Sequence, residues 1–324
     1  MRTTNGWAVL AAVVGGLAYG PAAADYPAES QIHLVVPFGQ GGSSSAAARA
    51  MQTAIERNDL LPTSFRISYV PGAAGTVGAR QVMNAEPDGY TILIWHVAAN
   101  GAKAMGNVDF GPEAFEAIAG SHRSCQMLVV RETSEYQTLA ELLDAAAESP
   151  ETIIAAVNLG GANHISAVLA EASRPGAAFR HVQYGGTAET YPALLGGHAE
   201  VNMSTTSALA QTTTAGLRLL GYLGTERHPN FPDVPTFREQ GFDVDFCMHA
   251  WWFAPKGTPQ ERIEILADAM EAAVDTDYMR EFAEISGVDN VFLRGAELEA
   301  VLGQETRDIT AIGPRLQGVA PTAN

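Results

Sequence analysis

The sequence predicts an α/β protein of two similar domains, each a mostly parallel sheet flanked by helices, with a ligand cleft between the domains. Strand-like apolar runs alternate with helical stretches across short loops, which is typical of parallel sheets covered by helices on both faces. Glycine-rich turns follow several of these strands, and such sheets bind ligands at the carboxyl ends of their strands. The middle of the chain repeats the organisation of its N-terminal part.

The composition indicates a substantial core and excludes some partners. The 324 residues are 47% apolar, which is enough for two ordinary domains. Only 17% of the residues are charged, and the net charge is −17. This balance argues against nucleic acid, which needs a basic face, and against an anionic membrane surface. A small anion still qualifies as a ligand, because helix dipoles act locally at a dry site.

The N-terminus has the features of a secretory signal. Arg2 supplies a positive region, residues 7–17 are apolar, and the A-A-A run at 22–24 fits a cleavage site before Asp25. A retained membrane anchor is the alternative, although the apolar run is short for a bilayer span. We expect residues 1–24 to be removed, leaving a soluble, exported protein of about 300 residues.

The first unit of the predicted first domain combines a buried strand, a glycine turn and a helix N-terminus. Free N–H groups and the positive end of the helix dipole then point at one spot, which makes an anion site. The unit consists of the strand Ile32–Val36, the turn at Gly39, Gly41 and Gly42, the capping serines Ser43, Ser44 and Ser45, and a helix over residues 46–55.

The remaining elements follow the same alternation. We expect domain 1 to comprise residues 25–123 and 228–324, domain 2 to comprise residues 124–227, and the hinge to lie near 121–125 and 224–229. The proline-rich segment 228–235 is predicted to be the rigid return connector, and Thr258 to cap the helix that starts at Pro259. Further strands are predicted at 65–70, 91–96, 126–131, 153–157, 179–183, 201–203, 217–221 and 250–254, and further helices at 76–85, 139–148, from 163, and at 188–195, 259–274, 278–285 and 297–312.

Six segments in register resemble one known family. They are VVPFGQGGSSS, PGAAGTVGA followed by PDGYTIL, HVQYGGTAE, LLGGHAEV, FPDVPTFREQG and WWFAPKGTP. Together they resemble the periplasmic solute-binding proteins of tripartite tricarboxylate transporters, the Bug or TctC-like family. The resemblance implies a monomeric, type II-like periplasmic binding protein that closes like a Venus flytrap on one small organic carboxylate. The expected ligand is a di- or tricarboxylate or an aromatic carboxylate, which the protein delivers to membrane permease subunits.

The sequence also departs from the family pattern. Ser45 stands where the first loop of the family usually ends in Asp, and Ser204 stands at a second, often acidic, position. Loss of both carboxylates would suit a di- or tri-anion, or an acid with a neutral tail, better than an amino acid. Alternatively the family Asp is structural and Ser replaces it. Tyr69 and Gln183 also differ from the family and could line the cleft.

The candidate ligand contacts lie on two sides of the predicted cleft. On the first side Phe38 could stack on a ligand or pack in the core, and His96 could be a contact or a structural residue. The first set is Phe38, Gly41, Gly42, Ser43, Ser44, Ala73, Gly75 and His96. The opposing set is Asn158, Gly160, Gly161, Asn163, His164, Tyr184, Gly185, Thr187 and Ser204.

No motif predicts a metal, a cofactor or a catalytic residue, because G-x-S-x-G, the P-loop lysine, H-E-x-x-H and C-x-x-C are all absent. An exported hydrolase using one of the serines 43–45 is a weak alternative to a binding protein. A sensory subunit that presents its ligand to a membrane kinase would use the same cleft. Cys125 and Cys247 could form a disulfide or stay as buried thiols, since sequence gives no distance between them.

Overall fold

A computed structural model describes residues 26–184, 187–211 and 214–318. The predicted signal sequence lies outside the described residues, and so does Gly185. Thr187 is described only as the first residue of a helix. Within the described ranges, none of the helices combines the length and the apolar character needed to cross a bilayer.

The described chain alternates strands and helices. The strands are β1 (Ile32–Val36), β2 (Phe65–Tyr69), β3 (Thr91–Trp95), β4 (Phe115–Arg131), β5 (Ile154–Val157), β6 (Arg180–Gln183), β7 (Val201–Thr205), β8 (Leu217–Tyr222), β9 (Cys247–Pro255) and β10 (Asp289–Leu293). The helices are α1 (Ser43–Arg57), α2 (Thr76–Met83), α3 (Ala98–Ala104), α4 (Leu139–Glu148), α5 (Ala162–Ala172), α6 (Thr187–Leu195), α7 (Thr206–Gln211), α8 (Gln260–Val274), α9 (Asp277–Ser286), α10 (Gly295–Ala311) and α11 (Gly313–Leu316).

One long strand joins the two halves of the sheet. The strand order is β2-β1-β3-β9-β4-β7-β5-β6, with β8 and β10 also paired to β4. The N-terminal part of β4 pairs antiparallel with β9, and its C-terminal part pairs antiparallel with β7 and β8. Parallel pairing is confined to β1 with β2 and β3, and to β5 with β6 and β7. The sheet is therefore mixed, and the prediction of mostly parallel sheets is wrong in this respect.

Each half of the sheet has its own apolar core. In the first half, α1 and α8 cover the sheet, and Leu34, Trp252 and Met270 are fully buried. In the second half, α4 contributes Leu142 to a cluster with Leu128 of β4. Most of the predicted elements that have a counterpart are confirmed to within about two residues, because their apolar periodicity matches the buried faces.

The differences from the predicted elements each have a specific cause. Residues 115–125 of β4 include Gly, Ser, His and Arg, a mixture that does not predict a strand. They form one because they pair with β9 on one side and with β10 on the other. The short helices α3 and α7 carry no amphipathic period, so sequence did not predict them. The predicted Thr258 cap is wrong, since its hydroxyl donates to the Pro255 carbonyl (2.8 Å) and Pro259 is the N-cap of α8.

Cys125 and Cys247 form a disulfide. They face each other directly in the antiparallel register of β4 and β9. Strand pairing therefore supplies the proximity that the sequence could not. The bridge ties the two strands together next to the point where β4 changes partners.

We expect the Cys125→Ser/Cys247→Ser protein to lose about 2–4 kcal/mol of unfolding free energy, because the bridge closes a long loop in the unfolded chain. Urea unfolding at pH 7 measures the loss. Reductant should lower the midpoint of the wild-type protein and leave that of the double variant unchanged. Equal midpoints for the two proteins without reductant would mean that the bond does not form.

Candidate functional site

Aromatic rings pack where β1 and β3 end. The Phe38 ring stacks on His96 with centroids 4.7 Å apart and planes 6° apart. Gly75 has φ +94, and a Cβ there would lie 2.7 Å from Trp95 Nε1 and 3.2 Å from Phe38 Cζ. Ala73 opens the same turn, with φ 45. The structure thus brings Phe38, Gly75 and His96 together, and glycine at position 75 is required by packing.

The N-terminus of α1 carries unpartnered amides. Gly41 turns the chain with φ +88, and Gly42 is an N-cap without a side-chain hydrogen bond. The first amide of this end with a backbone acceptor is that of Ala46, which donates to Gly42 O (3.0 Å). Within the described ranges no acceptor meets the N–H groups of residues 43–45. These donors and the helix dipole favour an anion. The serines form the first turn and are not caps.

Ser45 faces away from this spot. Its side chain is fully buried, and its hydroxyl bonds to the Tyr69 hydroxyl (3.1 Å) and to the Arg49 guanidinium. A carboxylate at this position would meet Arg49 rather than a ligand. The geometry therefore favours the structural interpretation of the family's Asp, and Ser45 carries no information about the ligand's charge.

In the opposing loop, between β5 and α5, the backbone N–H groups already have acceptors within the protein. Three side chains and one backbone carbonyl accept hydrogen bonds from four successive N–H groups, so these groups are not available to a ligand. The four bonds are Asn158 N–H to Asn163 Oδ1 (3.0 Å), Leu159 N–H to Gln183 Oε1 (2.8 Å), Gly160 N–H to His164 Nδ1 (3.1 Å) and Gly161 N–H to Asn158 O (2.7 Å). The amides of residues 162–164 stay without a described acceptor at this helix N-terminus. The free amides on this side of the predicted cleft are therefore those of the first turn of α5 and not those of the loop.

His164 braces this loop from inside. Its Nε2 lies 3.2 Å from His181 Nδ1, and His181 Nε2 lies 2.8 Å from Glu171 Oε1. Burial and, to a smaller extent, the neighbouring His181 together lower the pKa of His164 to about 3. Both ring nitrogens of His164 have protein partners, so the geometry supports a structural role.

The other opposing residues are less central. Ser204 is buried, and its hydroxyl accepts a hydrogen bond from Asn202 Nδ2 (3.3 Å). Ser204 does not line the pocket described below. Tyr184 follows β6 directly and donates its N–H to Val157 O (2.7 Å). Gly185 lies outside the described residues, and nothing is described of the Thr187 side chain. Their assignment as ligand contacts stays a prediction.

A pocket opens beside the α1 N-terminus. Its cavity volume, the space open to the centre of a water-sized group, is about 40 Å³. Of the predicted contacts, Ser43, Ser44 and His96 line it. The other lining residues are Ala46, Ala47, His122, Ser124, Ser207, Met248, His249, Ala250, Phe282, Ser286 and Val288. None of this second set was predicted from sequence, although a polar residue inside an apolar strand, such as His122, can indicate a site.

Three uncharged imidazoles line the pocket. Burial lowers the pKa of His96, His122 and His249 to about 4 each. They are therefore neutral at pH 7. None of the residues that line the pocket is an Asp, Glu, Lys or Arg. The pocket thus offers hydroxyls, neutral rings and apolar surface.

A family model for the "Tripartite tricarboxylate transporter family receptor", TctC, matches residues 48–312. The chain belongs to the TctC family. A UPF0065 protein from Cupriavidus necator is 30% identical over 82% of each chain. The structure of the periplasmic binding protein BugD superposes with a TM-score of 0.79 at 26% identity, covering 90% of this chain and 98% of BugD. An adipate-bound protein of R. palustris has the same fold, with a TM-score of 0.79 at 24% identity over 92% of this chain and all of that chain.

In this TctC-family protein, helix α3 and the β5–α5 loop meet at a glycine contact. A Cβ at Gly101 of α3 would lie 2.0 Å from the carbonyl oxygen of Gly160 in the β5–α5 loop. That oxygen belongs to the backbone and cannot move aside without moving the loop. Gly101 therefore permits α3 to touch the loop.

We expect Gly101→Ala to separate α3 from the β5–α5 loop and to weaken ligand binding by about tenfold or more, since the clash is with backbone. Gly303→Ala in α10 is the matched control, because its Cβ would meet only a flexible arginine end at 3.4 Å. Both Gly→Ala changes stabilise the helix that carries them by up to about 1 kcal/mol, so helix propensity does not distinguish the two variants. Calorimetric titration measures affinity, and equal affinity of the two variants would contradict the contact.

Proposed function

We propose that this TctC-family protein is a periplasmic solute-binding protein that captures a small organic carboxylate for a tripartite tricarboxylate-type permease. The observation that carries the proposal is the uncapped N-terminus of α1, whose first-turn residues Ser43 and Ser44 line a pocket. Helix N-termini of this kind hold carboxylates without a basic side chain. The adipate in the related R. palustris structure supports a carboxylate as the ligand class.

The ligand carboxylate accepts hydrogen bonds from the first turn of α1. Ser43 and Ser44 supply N–H groups and hydroxyls, and Gly41 and Gly42 let the backbone approach closely. The dipole of the fifteen-residue helix adds attraction at this end. The free first-turn amides of α5 supply the second set of donors from the other side of the cleft.

Ligand capture closes the two domains, 25–123 with 228–324 against 124–227. β4 runs from one half of the sheet into the other, and the disulfide pins β4 to β9 beside this crossing. A ligand that contacts both halves stabilises the closed form by its differential affinity. The protein acts by binding and release and performs no chemistry on the ligand.

A melting-temperature screen of residues 25–324 tests the proposal. The panel holds citrate, succinate, adipate, glutamate, nicotinate, pentanoate and two neutral sugars. A ligand that binds only the folded state raises the melting temperature by mass action. We expect a rise with at least one carboxylate and none with the sugars. A rise with a sugar alone would overturn the function and leave the fold.

Export is tested separately. Expression in a Gram-negative host followed by osmotic shock should release a protein that begins at Asp25. A protein retained with the membrane fraction, with residues 1–24 still attached, would contradict the periplasmic assignment.

A further inference from the structure

We propose that the pocket behind the α1 N-terminus receives the far end of the ligand, and that this end is an uncharged hydrogen-bond acceptor that meets His122. The proposal rests on the proposed function, since it assumes that the ligand's carboxylate lies at the α1 N-terminus. It narrows the ligand class to a small monocarboxylate with an uncharged acceptor, such as a keto acid or a pyridine carboxylate.

The walls of the pocket do not suit a second charge. Lysine, arginine, aspartate and glutamate are absent from its lining, and its histidines are neutral at pH 7. Arg123, the cation closest in sequence to His122, is paired with Asp289 at 2.8 Å and does not line the pocket. A second carboxylate placed here would be desolvated without a counter-charge, which is strongly unfavourable.

Hydrogen bonds fix which nitrogen of His122 carries the proton. The Trp252 Nε1–H group can only donate, and it donates to Ser121 Oγ (2.8 Å). Ser121 is fully buried, and among the described residues His122 Nδ1, at 3.0 Å, is the one acceptor within reach of its hydroxyl, so the serine proton is paired only when it is donated to that nitrogen. His122 Nδ1 is then the acceptor, and in the neutral ring Nε2 bears the hydrogen.

The donor on His122 Nε2 has no partner among the described residues, although His122 is only 5% exposed. The pairing register of β4 and β9 shifts at this residue, and its φ of +48 re-aims the side chain. Both the left-handed backbone of His122 and its buried, unpaired N–H group cost folding free energy. A bound group that accepts this hydrogen bond would recover part of that cost.

The space beside His122 fits a small end group. The cavity volume of the whole pocket that His122 lines is about 40 Å³, which is more than one water needs. The Phe282 ring lies nearly perpendicular to the His122 ring, with centroids 5.5 Å apart, and Met248, Ala250 and Val288 supply apolar surface to the same pocket. A carbonyl carbon with its methyl, or the edge of a pyridine ring, matches this mixture of one donor and apolar walls.

A five-carbon series separates the chemistries at nearly constant size. Calorimetric titrations at pH 7.5 compare pentanoate, 4-oxopentanoate and pentanedioate, and benzoate is compared with nicotinate. We expect 4-oxopentanoate to bind about tenfold more tightly than pentanoate, the effect of one buried hydrogen bond. Nicotinate should exceed benzoate by a similar factor, and pentanedioate should bind more weakly than 4-oxopentanoate.

Variants at the pocket locate the effect. His122→Gly removes the donor at a φ that glycine adopts without strain, and it should reduce the preference for 4-oxopentanoate over pentanoate to about twofold or less. Ala250→Leu fills the pocket and should weaken every acid of the series. Ala272→Leu on the exposed face of α8 is the matched control and should bind like the wild-type protein.

The outcomes separate this inference from the function on which it rests. Tightest binding of pentanedioate, with proton uptake seen in buffers of different ionisation enthalpy, would mean that protonated histidines hold a second carboxylate. That result overturns the inference and keeps the function. A preference for 4-oxopentanoate that survives in the His122→Gly protein also overturns it. Failure of every acid to bind the wild-type protein overturns the function itself.

Discussion

Ser43→Asp is expected to lower carboxylate affinity by about 1,000-fold, since two like charges about 4 Å apart repel by about 4 kcal/mol near a protein surface. Ser43 is the first residue of α1 and lines the mouth of the pocket. The new carboxylate would occupy the place proposed for the ligand's carboxylate. It would also use the free first-turn amides that the ligand needs.

Folding should not suffer from the same change. An acidic residue in the first turn of a helix stabilises it by about 0.3–1 kcal/mol, so the melting temperature of the ligand-free variant should stay equal or rise. Ser43→Asn is the control, because it has the shape of Asp without the charge and should keep most of the affinity. Titration with the best acid from the screen measures all three proteins. Unchanged affinity in Ser43→Asp would remove this loop from the site.

Acidification from pH 6.5 to pH 4 is expected to cost several kcal/mol of unfolding free energy. Burial lowers the pKa of His96, His122 and His249 to about 4 and that of His164 to about 3. The unfolded chain therefore binds more protons in this window, and stability falls as pH falls. His122 alone accounts for about 3 kcal/mol at 1.36 kcal/mol per pKa unit.

One carboxyl opposes this trend. Burial raises the pKa of Glu305 to about 7, although Trp251 Nε1 and Asn100 Nδ2 donate to it. In the folded state Glu305 binds its proton more tightly than in the unfolded chain, so it adds stability as pH falls from 7 to 4.5. One carboxyl offsets only part of the effect of four histidines, so the net slope keeps its sign.

Urea unfolding at half-unit intervals of pH measures this dependence. His122→Asn carries a side chain that does not titrate and that tolerates positive φ, and it should lose less stability over the window than the wild-type protein. Stability that is constant from pH 6.5 to pH 5 would show that these imidazoles are not held neutral by the fold.

Local sequence was enough to predict the first strand–turn–helix unit. The apolar run Ile32–Val36 suits only a buried strand, and Gly41 provides the left-handed turn that places the amides of α1 outward. These requirements involve neighbours along the chain. The same is true of the motifs that placed the chain in its family, and the family model confirms that placement over residues 48–312.

The wall of the pocket depends on pairing between distant residues. Antiparallel pairing of β4 with β9 brings His122 and His249 to one place, and the register shift at His122 turns its ring inward. A bulge of this kind leaves no periodic signal in sequence. The same pairing brings Cys125 to Cys247, which spacing along the chain could not predict.

Glycine content indicated where amides could be exposed, but not whether they are free. Both predicted anion loops contain the right glycines, yet the β5–α5 loop pairs the amides of residues 158–161 and leaves free only those of the first turn of α5. In the β5–α5 loop, Asn163, His164 and Gln183 accept the N–H groups of their neighbours. Likewise Ser45 turns toward Arg49 and Tyr69 instead of the ligand side. The partner of an amide and the direction of a side chain depend on atoms that the fold brings close, and this is why only the folded chain separates the two loops.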